Sequence, residues 1–443
     1  MPITELRIEG LRTIEKLRLK LDGLTVLIGE NGSGKSSILE ACELLRRVTS
    51  DRFMDEFYGI HGGMPALLRE GASRLKLGVT VRPVKGEYPR FEMEEWFNPF
   101  ESFDYDITLI PSGPFAAIAE SLYGTRPRGT ARGRSKSRSA KPKSGARPRE
   151  NDPKEKLLLL ERRGREVHGV AKDHQGFTET RDEQTSVISP SQAYSGGTWG
   201  DIAPHAVAAY VRNIRVHLPF EVMPAWAARA LDRKSAMRLP MPFAPAESVE
   251  KLGSNLANAF HALKNNFSQA HWRQTLDYVR LGLGEHIEDV ATRADPGGGS
   301  VGLSLKLKNQ ERQIPSAQLS DGMLSYLAFV ALFRLQAIRP SLVALDEPDL
   351  HLHPRLLMRV LDMFESMAQD NPVLVATHSD RLLDGLSNPA RSVVLCELDE
   401  NQVTRLMRPN PKALRDWLER YRGLGEIRSA GHEASIFTRR NPG

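Results

Sequence analysis

The chain has 443 residues, 40% hydrophobic and 26% charged, enough apolar material for a sizeable core and, by length, for two or three structural units. No run approaches the ~18 consecutive apolar residues of a membrane span, the start MPITELRIEGLRTIEK lacks a signal-peptide core, and two distant cysteines, Cys42 and Cys396, exclude a disulfide framework or a CxxC metal site. The net charge of +6 has one source: residues 126–149 (RPRGTARGRSKSRSAKPKSGARPR) hold ten Lys/Arg and no acid, so the rest carries 6 − 10 = −4.

A soluble cytoplasmic chain with reduced thiols is expected. Residues 3–28 read as three short strands, ITELRIEG, EKLRLKL and LTVLIG, the first two alternating apolar and polar. The third feeds GENGSGKSS, after which SILEACELLRRV has the i, i+3, i+4 apolar spacing of a helix. Between 74 and 111, RLKLGVTVRPV, YPRFEMEEWF and DYDITLI, punctuated by Pro and Gly, predict an antiparallel meander. Residues 126–149 contain no Leu, Ile, Val or aromatic side chain; with so little apolar surface to offset ordering entropy, disorder is predicted. Strand character resumes at KLLLLERRGREVHGV, and residues 202–293 are predicted to be mainly helical, including SVEKLGSNLANAFHALKNNF from Ser248 and WRQTLDYVRLGL. After DPGGGS comes a strand, VGLSLKL. From Gln318 onward, helix SDGMLSYLAFVALFRL, strand SLVALDEP, helix LLMRVLDMFESMA and strand PVLVATHS alternate, the order that builds a parallel sheet. Internal repeats and sustained heptads are absent, which excludes a long coiled coil.

Four short elements carry chemistry. Gly29-Glu30-Asn31-Gly32-Ser33-Gly34-Lys35-Ser36 fits G-x-x-x-x-G-K-[ST] between a strand and a helix. Its glycines let the backbone bend so that successive N–H groups, from Gly29 through Asn31, Gly32, Ser33 and Gly34 to Ser37, converge on phosphate oxygens at a helix N-terminus. Lys35 then supplies a cation to the β/γ-phosphates, and the Ser36 hydroxyl is a candidate Mg²⁺ ligand. In Ser341–Pro348, an apolar strand delivers Asp346 and Glu347 at its C-terminal end, where open α/β sheets bind ligands. Asp346 suits the Mg²⁺ shell, and Glu347 suits polarising an attacking water. The same pair alone would also describe a strand meeting a solvated turn.

His378 ends the next apolar strand, VLVATHS, within reach of a γ-phosphate and its attacking water. Isolated histidines are more often structural. Ser320, Asp321 and Gly322 in LSDGM open a helix 346 − 320 = 26 residues before Asp346; by themselves they read as an N-cap. His351 and His353 in DLHLHP have metal-like i, i+2 spacing but no Cys or His partner at ligand spacing, so a metal site is rejected. Trp96, Phe97, Phe100 and Phe103 favour core or turn packing over a partner patch.

Taken in order, these elements resemble the heads of ABC-type ATPases. LSDGM resembles the signature motif, with Asp321 and Met323 where transporter subunits have Gly and Gln; DEPDLHLHP resembles a Walker B motif running into a D-loop of the soluble SMC-like and RecF-like branch; His378 matches the switch histidine. The chain is especially similar to predicted AAA-type ATPases of the OLD and RecF-like group, several of which serve in bacterial anti-phage defence, and WLERYRGLGEIRSAGHE resembles their C-termini.

The resemblance implies an α/β head: a mostly parallel sheet flanked by helices, an antiparallel β subdomain and a helical insertion. It divides the chain into an N-terminal ATPase lobe (1–125), the basic insert (126–149), a β-rich continuation (150–201), a mainly helical lobe (202–300) and a C-terminal ATPase lobe (301–443). It implies ATP and Mg²⁺, with Glu347, His378 and Lys35 catalytic, and a homodimer that sandwiches nucleotide. Ser320 and Gly322 would touch the γ-phosphate held by the other copy's loop, so that ATP joins the dimer and hydrolysis opens it. Arg12, in GLRTIEK, resembles an arginine that the SMC-like branch places near the nucleotide. A Q-loop residue is not separable among Gln175, Gln184 and Gln192.

OLD enzymes carry a C-terminal TOPRIM nuclease. The 443 − 379 = 64 residues after Ser379 show no acidic cluster at strand ends beyond ELDEN (397–401), which reads as a hairpin turn, so no built-in nuclease is expected. The function implied is an ATPase regulating a separate effector, a nuclease or toxin, in defence. The alternative is a RecF-like DNA-binding ATPase of repair or replication; a transporter subunit fits the motifs poorly. The basic insert is a solvated loop or a tether for DNA, RNA or an acidic partner.

Overall fold

A computed structural model describes residues 2–84, 100–113, 115–127, 154–170, 176–180, 184–189, 202–223, 235–294 and 299–437. The expected strand YPRFEMEEWF with Trp96 and Phe97, Gln175, Gln192, and the basic insert beyond Pro127 lie outside these residues. The chain forms two units, Met1–Leu21 with Glu40–Arg212 and Asp22–Leu39 with Asn213–Gly443.

The first unit is built on one eight-stranded sheet. Its strands are β1 (Ile3–Leu11), β2 (Ile14–Lys20), β4 (Leu75–Val81), β5 (Ser102–Ser112), β6 (Phe115–Pro127), β7 (Lys154–Arg163), β8 (Glu166–Val170) and β9 (Gly176–Thr180), in the order β2-β1-β4-β5-β6-β7-β8-β9. Every pairing is antiparallel; of the meander expected over residues 74–111, the first and last strands, β4 and β5, pair directly with each other. In β2, Ile14, Leu17 and Leu19 are buried while Glu15, Lys16, Arg18 and Lys20 are exposed, the alternation of a sheet with one wet face. Phe103 is buried, and its ring packs 5.3 Å from that of Phe100, which settles both in favour of packing.

The sheet's core contains a charged network. Arg162 and Glu120, whose side chains are fully buried, pair at 3.1 Å. The Tyr105 hydroxyl donates to the same carboxylate at 2.6 Å, as does the Val187 N–H at 3.0 Å, and Ser186 adds a further bond. Arg162 also donates to the carbonyls of Gly164 and Thr185. Burial, then the adjacent Glu120, pushes the Tyr105 phenol well above its ordinary pKa. The network pins residues 184–189, including Gln184, to the sheet.

The second unit holds a six-stranded sheet with the order β10-β15-β16-β3-β17-β18, comprising β10 (Ile214–His217), β15 (Leu342–Asp346), β16 (Val373–Ala376), β3 (Leu24–Ile28), β17 (Val393–Leu398) and β18 (Thr404–Met407). All neighbours are parallel except β17–β18. That hairpin turns through ELDEN, as predicted. β3 and β16 are buried at every residue, the continuous apolar pattern of strands covered on both faces. A smaller antiparallel sheet joins β11 (Met241–Pro242), β12 (Ile287–Ala294), β13 (Ser300–Leu307) and β14 (Ile314–Pro315).

Among the described residues, the α-helices are α1 (Lys35–Arg47), α2 (Phe53–His61), α3 (Ile202–Arg212), α4 (Leu256–Asn265), α5 (Gln269–Leu283), α6 (Asp321–Arg334), α7 (Pro354–Asp370), α8 (Asp380–Asp384), α9 (Pro389–Ser392), α10 (Pro411–Leu418) and α11 (Leu424–Ser429). The expected helix from Ser248 begins only at Leu256. Gly253 has φ +76°, and the Asn255 side chain bonds the Glu250 N–H and the Ser248 carbonyl. Such side-chain bonds offer the backbone an alternative to the helix. The run 202–293 is therefore less helical than expected, since β10 and β12 also interrupt it. Helix α6 is buried from Leu324 to Leu332, which explains its apolar character all round.

Candidate functional site

The site lies at the C-terminal ends of β3, β16 and β15 in the second unit. Their parallel register aligns Asp346 with Ala376 and Ala376 with Leu27, so the segments that follow all three strands leave the sheet at one level. Main-chain bonds extend this alignment: the Thr377 N–H donates to the Leu27 carbonyl at 3.1 Å and the Glu347 N–H to the Ala376 carbonyl at 2.8 Å.

The loop after β3 needs its glycines. Gly29, Gly32 and Gly34 have φ of +141°, +80° and +100°, conformations that L side chains rarely adopt. A Cβ on Gly29 would also lie 2.0 Å from the Cys396 carbonyl oxygen of β17. Lys35, the first residue of α1, is nearly buried, and its Nζ donates to the carbonyls of Gly29 at 2.8 Å and Glu30 at 2.9 Å. Burial lowers the Lys35 pKa, opposed by the charges of Glu347 and Asp346. The buried Ser33 hydroxyl has no hydrogen-bond partner among the described residues, and Thr404 donates to the Ser33 carbonyl at 3.0 Å.

Asp346 reaches the Ser36 hydroxyl, and burial raises its carboxyl above the ordinary range despite that bond and the Lys35 charge. A hydroxyl and a carboxylate brought together beside a phosphate loop are the hard oxygen donors that Mg²⁺ takes. Glu347 has φ +42°, a costly conformation for a bulky side chain and one that clusters at functional sites. Its carboxylate accepts from the His378 N–H at 3.2 Å and lies 3.5 Å from His378 Nε2. Burial raises the Glu347 pKa; burial and then the Lys35 charge lower that of His378. Thr377, just before it, donates to Asp349 at 2.6 Å and so ties the two strand ends together.

Ser320 caps α6, its hydroxyl accepting from the Met323 N–H at 3.3 Å. A Cβ on Gly322 would come within 2.9 Å of the His351 carbonyl, so the turn after β15 packs against this helix start. His351 has φ +67°, and His353 caps α7 by accepting from the Arg355 N–H at 3.3 Å. Arg12, in the first unit, has φ +48° and pairs with Glu40 of α1 at 3.0 Å. The remaining candidates belong to the second unit.

Sequence reasoning missed Arg238. This buried side chain donates to the carbonyls of Val222 at 2.8 Å and Leu319 at 2.6 Å, and to the Asp321 carboxylate at 2.5 Å. It holds the LSDGM turn from behind and gives Asp321 a local partner. No signal in SAMRLP marks it, because its partners lie up to 83 residues away. Arg238→Ala is expected to cost about 1–3 kcal/mol of stability through the orphaned carbonyls. Calorimetric unfolding checks this; an unchanged unfolding temperature would show that the turn holds without it.

A family model described as "AAA domain, putative AbiEii toxin, Type IV TA system" matches residues 224–384, and one described as "AAA ATPase domain" matches residues 1–80. No curated protein matches the chain. Among solved structures, the SmcHead bound to the C-winged helix domain of ScpA is similar at 13% identity and a TM-score of 0.52, over 94% of this chain and 100% of that one. A Pyrococcus furiosus Smc head with an extended coiled coil, bound to the C-terminal domain of ScpA, is similar at 13% identity and a TM-score of 0.50, over 95% and 99%. The chain thus has the ABC-ATPase head fold. Residues 1–80 and 224–384, which contain the phosphate loop and the strand ends at Asp346 and His378, are similar to AAA domains.

Proposed function

We propose that this protein binds and hydrolyses Mg²⁺-ATP between two copies of itself, and that this cycle switches a separate effector, a nuclease or toxin, in anti-phage defence. The observation that carries the catalytic part is the meeting of Lys35, the Ser36–Asp346 pair and the Glu347–His378 pair at one end of one sheet. Lys35 neutralises the terminal phosphates from within the loop. Bound Mg²⁺ would supply charge neutralisation between phosphate oxygens, held through Ser36 and Asp346. Glu347 takes the proton of the attacking water, with His378 orienting its carboxylate and the water. Ser320 and Gly322, at the start of α6, offer N–H groups and a hydroxyl to the phosphate of the opposing copy.

The defence role is supported by the similarity of residues 224–384 to the AAA domain of the putative AbiEii toxin and by the resemblance of the C-terminal sequence to anti-phage ATPases. Engagement of a partner is supported by the similar Smc heads, which are bound to domains of ScpA.

The test is ATP binding and phosphate release by the purified chain and by Lys35→Ala. We expect nucleotide-dependent self-association and turnover in the parent and loss of both in the variant. Nucleotide binding unaffected by Lys35→Ala would sink the assignment.

A further inference from the structure

The C-terminal segment after α10 is docked on the site through α8, the helix that follows His378. Gly423 and Gly425 permit the close approach: a Cβ on either would strike Asp384 or Asp380, at 2.4 Å from Asp384 Oδ1 and 2.0 Å from the Asp380 carbonyl. Asp384 accepts from the Glu426 N–H at 3.0 Å, and Asp380 from the Ser429 hydroxyl at 2.7 Å, while Leu424 and Ile427 are fully buried.

This docking delivers Arg428. Its Nη1 donates to Asp380 at 2.8 Å and its Nε to Glu433 at 3.1 Å, and only 15% of the side chain is exposed. Nη2 has no partner among the described residues. Arg428 lines a cavity of about 650 Å³ together with Gly29, Glu30 and Asn31 of the phosphate loop, Cys396 of β17 and Phe437. Glu397 and Glu433 also line it, and Arg428 is the one basic residue of that lining among the described residues. It is close enough to lower the pKa of both Lys35 and His378, after the larger effect of burial on each.

We propose that Arg428 is a nucleotide-binding residue supplied by the C-terminal segment of the same copy, whose uncommitted Nη2 contacts the terminal phosphate of ATP and so tells ATP from ADP. This rests on the nucleotide-site reading above. Two carboxylates fix the fork in advance, so little reorganisation accompanies the contact; a planar guanidinium can hold a carboxylate and a phosphate oxygen at once, which an ammonium does less well. Because Asp380 follows the His378–Ser379 turn directly, the Arg428–Asp380 bond ties the arginine to the helix that begins just after the histidine.

Calorimetric titration of the full chain with Mg²⁺-AMP-PNP and Mg²⁺-ADP tests the assignment in Arg428→Ala, Arg428→Lys and Lys35→Ala. Arg428→Ala is expected to weaken AMP-PNP on the order of 10- to 100-fold, the worth of one charge-assisted hydrogen bond, with ADP within about twofold; Arg428→Lys should recover part of the loss. Equal weakening of both nucleotides together with a lower unfolding temperature would make Arg428 a structural pin and overturn the proposal. So would unchanged affinity for both. If Lys35→Ala loses both nucleotides while Arg428→Ala keeps the parent's preference, the site reading stands and this inference alone fails.

Discussion

Glu347→Gln is expected to slow phosphate release by about 10²–10⁴-fold, the usual contribution of a positioned general base, while retaining ATP. Gln keeps the shape and an acceptor for the His378 N–H, so the strand ends stay joined. What it loses is the ability to accept the water's proton. Bound ATP then persists, and the nucleotide-joined form should accumulate in light scattering with ATP where the parent returns to its starting state. Hydrolysis by the variant at the parent's rate would remove Glu347 from the base role. The left-handed backbone at this position adds a second reading of the same experiment: a conformation at φ +42° costs energy in any non-glycine residue, and Gln bears that cost as Glu does. Stability should therefore barely change, and a large loss of activity with unchanged unfolding separates chemistry from fold.

Arg162→Met should act in the opposite way, on the fold of the first unit and not on the chemistry. Glu120 would remain a carboxylate in the core with its cation gone, and breaking a buried pair from one side costs about 3–5 kcal/mol. Tyr105, Ser186 and the Val187 N–H would still donate to it, which places the loss toward the lower end. Urea unfolding followed by circular dichroism measures the change. The double variant Arg162→Met/Glu120→Leu should recover much of it, because two apolar side chains leave no orphaned charge. A double variant no more stable than the single one would mean that the remaining donors, and not the bare carboxylate, dominate the cost.

The candidate site was partly legible because some of its parts are contiguous. A loop that cradles phosphate needs glycine at φ angles other residues avoid, a lysine at the helix start and a buried strand before it, and Leu24–Ser37 supplies all of these within one short stretch. The strands ending in Asp346 and at Ala376 were legible for a similar reason, since a fully covered parallel strand must be an unbroken apolar run. In the helical stretch the reading was less good. Apolar spacing extended the helix back to Ser248, but Gly253 and the Asn255 side chain diverted the backbone by short-range bonds that periodicity does not register.

Length, composition and charge set the starting point: a chain large enough for two units, with a net charge of +6 that belongs to residues 126–149. The sequence alone determined the glycine-rich turn between strand and helix, the α/β class and the antiparallel pairing around residues 74–111, because each follows from residue types at fixed short spacing. Tertiary structure alone decided which distant side chains pair. Arg238 reaches Asp321 across 83 residues and Arg428 reaches Asp380 across 48. A lone arginine in sequence carries no mark of the carboxylate it will meet. Only the packing of the chain, driven by burial elsewhere, brings the two charges within hydrogen-bond distance and gives each a fixed direction.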